Sequence, residues 1–304
     1  MSTSSLRRAS RAAIVEPEPT HSAAVIALPT TAASAPGANV TPRQQATPKT
    51  RKFLRRPVLL GALTPLALLA LWALSSRAGL VPQLILPAPA TVYDAFIALV
   101  QSGELFANLS ISVQRVALGF AAGAGLGLLL GAGMGLSPRL ERFLRPTFLT
   151  VAQIPVLAWI PFLMILFGIG EALKIVIIAK AALIPVTLNT LDGFRNVPRA
   201  YLEVGRIYRF NNLQILRSIM LPGALLPVFT GLRYGLTHAW HSLVVVELLA
   251  STEGLGYQMV MARQLFQLDV MIATMIVIGV IGFTLDKILA QAETSLRRRY
   301  GAAA

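Results

Sequence analysis

Apolar stretches long enough to cross a bilayer recur at 58–75, 113–136, 147–167, 173–191, 225–250 and 270–289. A hydrocarbon core about 30 Å thick takes roughly 20 mostly apolar residues per helix. In lipid, every backbone N–H and C=O must find its partner inside the protein, which leaves helices or closed barrels. The pattern predicts an all-α integral membrane protein with six transmembrane helices. Composition agrees, with 55% hydrophobic and 13% charged residues, against about 25% charged in soluble domains. Cysteine is absent, so disulfides, thiolate metal sites and cysteine nucleophiles are excluded.

The net charge of +14 suits nucleic acid or an anionic surface until its placement is considered. Six spans with a cytoplasmic start put both termini and the loops 137–146 and 192–224 inside. These regions hold 21 of the 27 lysines and arginines: nine in the N-terminal segment, three and five in the two loops, and four near the C-terminus. That is the asymmetry the positive-inside rule expects, and topology explains most of the charge without nucleic acid. Residues 1–57 read as a disordered basic cytoplasmic tail rich in Ser, Thr, Ala and Pro, without the apolar run of a signal peptide. Residues 58–112 read as a first span and an extracytoplasmic interfacial segment, 113–291 as the core, and 292–304 as a cytoplasmic tail.

Gly119, Gly123, Gly127, Gly131 and Gly135 recur every four residues in the second span. Spacing of four keeps them on one helix face, where a neighbouring helix approaches closely. A dinucleotide-binding loop is excluded, since no strand precedes them.

The segment 201–223, YLEVGRIYRFNNLQILRSIMLPG, interrupts this apolar chain with polar residues. Tyr201, Val204, Ile207 and Tyr208 fall at helical spacing around Glu203 and Arg206, predicting a short amphipathic helix. Asn212 is the expected N-cap of a second helix carrying Leu213, Leu216 and Ile219, which Leu221, Pro222 and Gly223 should end.

This segment resembles the cytoplasmic signature of binding-protein-dependent ABC importer permeases: Glu-Ala-Ala, three residues, Gly, nine residues, Ile, one residue, Leu-Pro. Glu203 takes the glutamate position, Val204 and Gly205 the alanines, Ile219 the isoleucine, and Leu221 with Pro222 the Leu-Pro. Arg209 departs from the pattern, standing where the family has glycine in a tight inter-helix turn. LPAPATVYDAFIALVQSGEL, FGIGEALKI and LVVVELLASTEGLGY are similar to the nitrate, sulfonate and taurine branch, most of all to aliphatic-sulfonate permeases.

The resemblance implies a type I ABC importer permease fold with cytoplasmic coupling helices and a homodimer of this chain. It also implies an extracytoplasmic solute-binding protein and a separate ABC ATPase that binds ATP and Mg, which docks on the signature. No Gly-Lys dipeptide occurs, so the chain has no phosphate-binding loop of its own and is expected to bind no cofactor.

Arg233, His238, His241 and Glu247 lie in the fifth span. Arg233 and Glu247 are about 21 Å apart along a helix and cannot pair directly. Ionisable groups in a span face protein or water, so these four are either a translocation path suited to an anion or partners in helix–helix hydrogen bonds. Two histidines without another ligand do not make a metal site. Lys174 is expected to snorkel outward, and Lys180 to pair with Glu171 near the outer vestibule. Pro155, Pro161 and Pro185 are expected to kink their spans. An ion-gradient-driven secondary transporter is the alternative, using the intramembrane His and Glu for proton coupling; no inverted repeat supports it.

Overall fold

The computed structural model describes residues 56–80 and 82–300, and the tail expected at 1–57 lies outside them but for its last two residues. Every described element is helical. The order is α1 (Arg56–Arg77), α2 (Pro89–Gln101), α3 (Glu104–Leu136), α4 (Pro138–Ala152), α5 (Val156–Phe167), α6 (Glu171–Arg195), α7 (Arg199–Ile207) and α8 (Asn212–Ile215). A π-helical turn (Leu216–Met220), α9 (Leu221–Ala250), α10 (Leu255–Gln264) and α11 (Leu268–Tyr300) complete it. Glu104–Leu136, Asn212–Ala250 and Leu268–Arg298 are each long and apolar enough to cross a membrane.

The bundle is organised around α6, which buries Leu173, Ile177, Ile178, Ala182 and Val186 between α3 and α9. The glycine comb makes this packing possible. A Cβ at Gly119 would lie 2.6 Å from Ile178 Cβ, one at Gly131 2.6 Å from the Thr187 carbonyl oxygen, and one at Gly135 2.6 Å from Phe194 Cβ. At Gly123 the Cβ would enter the Ala179 backbone, and at Gly127 it would meet Val186. Gly231 and Gly235 do the same for α9, where a Cβ would meet Asn189 and Val186 at 2.7 Å. The same four-residue spacing, Gly231, Gly235 and Ala239, marks that second seam in a shorter form.

Several boundaries differ from the hydropathy reading. The stretch 147–167 is not one helix: α4 and α5 meet at 95° across a break of three residues. Proline has no N–H and biases the preceding residue toward extended backbone, so Ile154-Pro155 breaks the helix where apolar periodicity runs on. Pro161 and Pro185 lie inside continuous helices. The second span opens at Glu104, nine residues before the expected start, after Gly103 in the left-handed region at φ 77°. The last helix continues through Tyr300, so 292–300 extend it.

Leu221-Pro222-Gly223 does not end a helix either. The chain runs from α8 through the π turn into α9 without interruption. Proline cannot donate to the preceding turn and its ring crowds the carbonyl there; the wider π register just before Pro222 relieves that crowding.

Candidate functional site

Between α6 and α9 the chain makes a helix, a turn and a helix. α7 closes with a complete Schellman motif: Phe210 N–H donates to the Gly205 carbonyl and Arg209 N–H to the Arg206 carbonyl, both at 2.9 Å. The motif needs a left-handed residue one place past the cap, and Arg209 supplies it at φ 53°. The glycine position of the signature therefore keeps its glycine geometry with an arginine in it. The following helix is capped by Asn211, one residue before the expected Asn212. Asn211 Oδ1 accepts from Gln214 N–H and Gln214 Oε1 accepts from Asn211 N–H, each at 2.8 Å, closing a capping box.

Signature residues divide into two groups. Gly205 is buried, and a Cβ there would lie 2.7 Å from Ile219 Cδ1, so Gly205 and Ile219 clamp α7 to the π turn. Glu203, Val204, Arg209, Leu221 and Pro222 are exposed. Beside them Ile207 and Tyr208 are 77% and 73% exposed, a large apolar surface for a loop. A groove of about 840 Å³ runs between α7 and the start of α9, lined by Tyr201, Val204, Tyr208, Phe210, Ile219 and Pro222 among others.

The far end of the bundle holds a charge cluster. Arg115 of α3 is 2% exposed, and Glu247 of α9 is fully buried against it at 2.9 Å. The guanidinium reaches Glu171 through Nε and Nη2, at 2.8 and 2.6 Å. It also reaches Glu253 Oε1 at 3.0 Å and the Glu253 carbonyl at 2.8 Å, so all five donors are used. Glu247 accepts from Ser112 Oγ at 2.8 Å and from Gly256 N–H at 2.9 Å. A Cβ at Gly254 would meet the Glu247 carboxylate, which is why the chain passes there as glycine with φ 104°. Lys174 does not snorkel: it is buried and donates to Glu171 at 2.7 Å. The Arg115 guanidinium, with Lys174 assisting, holds the Glu171 carboxyl down at about 2 despite partial burial.

Arg233 and Glu247 belong to different clusters. Arg233 is bidentate to Asp286 of α11, at 2.8 and 3.0 Å, and donates to Glu293 at 3.1 Å. Glu293 also accepts from Thr230 at 2.9 Å. His238 and His241 join neither cluster; with Tyr234 they form an exposed stripe along α9. Lys180 does not reach Glu171. Its Nζ donates to the Ile154 carbonyl at 3.2 Å and lies 5.1 Å from the centre of the Trp159 ring.

An all-helical membrane bundle whose two central helices are joined by an exposed, capped helix pair matches a known family. Residues 123–298 fit the binding-protein-dependent transport system inner membrane component family, and the chain belongs to that family. It is therefore a membrane permease component of an ABC transport system, which works with an ATPase and a binding protein. Over 236 residues it is 39% identical to the putative aliphatic sulfonates transport permease protein SsuC of Bacillus subtilis, covering 78% of this chain and 86% of that protein. It is 33% identical over 243 residues to the taurine transport system permease protein TauC of Escherichia coli, covering 78% and 88%.

Among solved structures, an inward-facing MetNI methionine ABC transporter aligns at TM-score 0.51 and 18% identity, over 64% of this chain and 95% of that one. An amino acid ABC transporter aligns at TM-score 0.55 and 15% identity, over 67% and 98%. These likenesses show the fold, that of type I ABC importer permeases.

Proposed function

We propose that the chain, as a homodimer in the lipid bilayer with both termini cytoplasmic, imports a small sulfonate anion by alternating access. The reading includes an ATPase that binds ATP and Mg and docks on residues 199–222, and an extracytoplasmic binding protein that delivers the solute. The observation that carries the docking role is the exposed α7 face, where Tyr201, Val204, Ile207 and Tyr208 border a groove and Glu203 supplies a charge. An apolar stripe with a polar rim is what helix-in-groove contacts use. The names of the relatives support an aliphatic sulfonate or taurine as solute. Arg233, His238, His241 and Glu247 divide accordingly. The exposed His238 and His241 face the second copy and the solute path, because a polar stripe on a spanning helix is unfavourable against lipid. Arg233 and Glu247 hold helices together.

Proteoliposomes containing this chain, its ATPase and its binding protein test the reading. Expected are ATP-dependent uptake of taurine or ethanesulfonate, insensitivity to a protonophore, and loss of ATPase docking in Glu203→Lys with the chain still inserted. Uptake persisting without any ATPase would overturn the importer reading in favour of an ion-gradient carrier. Normal assembly and transport in Glu203→Lys would overturn the docking role.

A further inference from the structure

Lys180 stands in the middle of the apolar stretch 173–191, about 14 Å along α6 from Glu171. Charges in spans face protein or water and are normally paired. The other cations of α6 are: Lys174 takes Glu171 and Arg195 takes Glu141. Lys180 has no carboxylate partner among the described residues. Its ammonium points to the 95° break between α4 and α5, where the Ile154 carbonyl uses one of its three donors. The Trp159 ring lies beside it. The indole N–H of Trp159 is buried and has no acceptor among the described residues, an uncommon state for a buried donor. The broken helix leaves Gln153, Ile154 and Pro155 exposed alongside.

We propose that Lys180, at the α4–α5 break, is an anion subsite part-way across the membrane that takes the sulfonate head group of the solute. This rests on the sulfonate-import reading above. One negative charge spread over three acceptor oxygens suits an ammonium that spends only one of its three donors on protein, at the Ile154 carbonyl. The site holds a single cation with weak neutral neighbours, so it lowers the barrier without trapping the solute. A purely local role, capping the end of α4 through the Ile154 carbonyl, needs only a hydrogen-bond donor and no charge.

The test uses the full transporter in proteoliposomes with taurine and ethanesulfonate as probes. Lys180→Gln keeps a donor for the Ile154 carbonyl and removes the charge; it is expected to lower uptake at least tenfold while solute-loaded binding protein still stimulates ATP hydrolysis. The chain contains no cysteine, so Lys180→Cys introduces a unique thiol. 2-Bromoethylamine, which alkylates the thiol to a thioether with loss of bromide and a proton, restores a cation at lysine length and should restore uptake; neutral alkylation with iodoacetamide should not. Wild-type uptake in Lys180→Gln, or labelled Lys180→Cys that the amine does not rescue, overturns the subsite. A wild-type complex that imports no anion overturns the import reading and the subsite together. Should Lys180→Gln fail to assemble, the rescue of Lys180→Cys decides.

Discussion

Replacing Arg115 with methionine removes the one cation that, among the described residues, touches Glu247, whose side chain has no solvent exposure. Burying a carboxylate with its partner gone costs about 3–5 kcal/mol, because the charge keeps its desolvation penalty and loses its compensation. The contacts to Glu171 and Glu253 add little, since both carboxylates are half exposed and exposed pairs contribute about 0–1 kcal/mol each. For a domain of this size each kcal/mol moves the midpoint by about 2–4 °C, so Arg115→Met is expected to melt on the order of 10 °C below wild type. Glu247→Gln in the same chain removes the stranded charge and keeps one acceptor oxygen, which at the Oε2 position both Ser112 Oγ and Gly256 N–H reach, so it should recover most of the loss. Thermal melting of the purified permease in detergent, run as a double-mutant cycle, measures both steps. A single mutant melting with wild type, or a double mutant no better than the single, would refute the assignment of Arg115 as the counter-ion of Glu247.

Three further outcomes follow from the geometry. Arg209→Gly relieves a left-handed arginine, a conformation costing about 1–2 kcal/mol, and even after the entropic penalty of glycine it should raise the melting midpoint slightly without loss of docking. Gly123→Leu drives a side chain into the Ala179 backbone and should destabilise by at least about 1–3 kcal/mol, whereas Gly125→Leu enters open space and should be tolerated. Glu171 is held at about 2, below its ordinary 4.5, so the unfolded chain binds the proton more readily between those values. Its stabilising contribution is complete above pH 4.5 and disappears as pH falls through about 2; Glu171→Gln should flatten that part of the stability–pH profile.

Apolar length and the four-residue glycine spacing made most of the bundle legible in the sequence, because each is a local signal with one physical meaning. The break at Ile154-Pro155 was hidden, since apolar residues continue on both sides and hydropathy does not distinguish a proline that kinks from one that begins a new helix. Arg115 is one of the six lysines and arginines that fall outside the cytoplasmic regions, yet its depth carries information. It lies two residues into the 113–136 stretch, and Glu247 lies three from the end of 225–250. With alternating topology both fall at the same membrane face, and opposite charges at equal depth in neighbouring spans have strong reason to pair. Lys180 gave no such cue, because its nearest polar group is a backbone carbonyl exposed only by the break.

The proposed coupling between an ATPase and a solute path would need a stiff connection, and the stretch Asn212–Ala250 is a continuous helix suited to it. Its 39 residues run unbroken from the capping box to the charge cluster, about 58 Å at 1.5 Å per residue. Had Leu221-Pro222-Gly223 ended a helix, motion at α7 would dissipate in a hinge before it reached the membrane. Instead Ile219 clamps over Gly205, Arg209 sets the turn, and the π register carries the axis past Pro222. Further along, Arg233 fastens the same helix to α11 and Glu247 fastens it to α3 through Arg115. In the proposed importer a displacement imposed on α7 would be carried by α9 to α11 and α3, and the α4–α5 break, beside a lysine with no carboxylate partner among the described residues, is where we propose that the path changes shape.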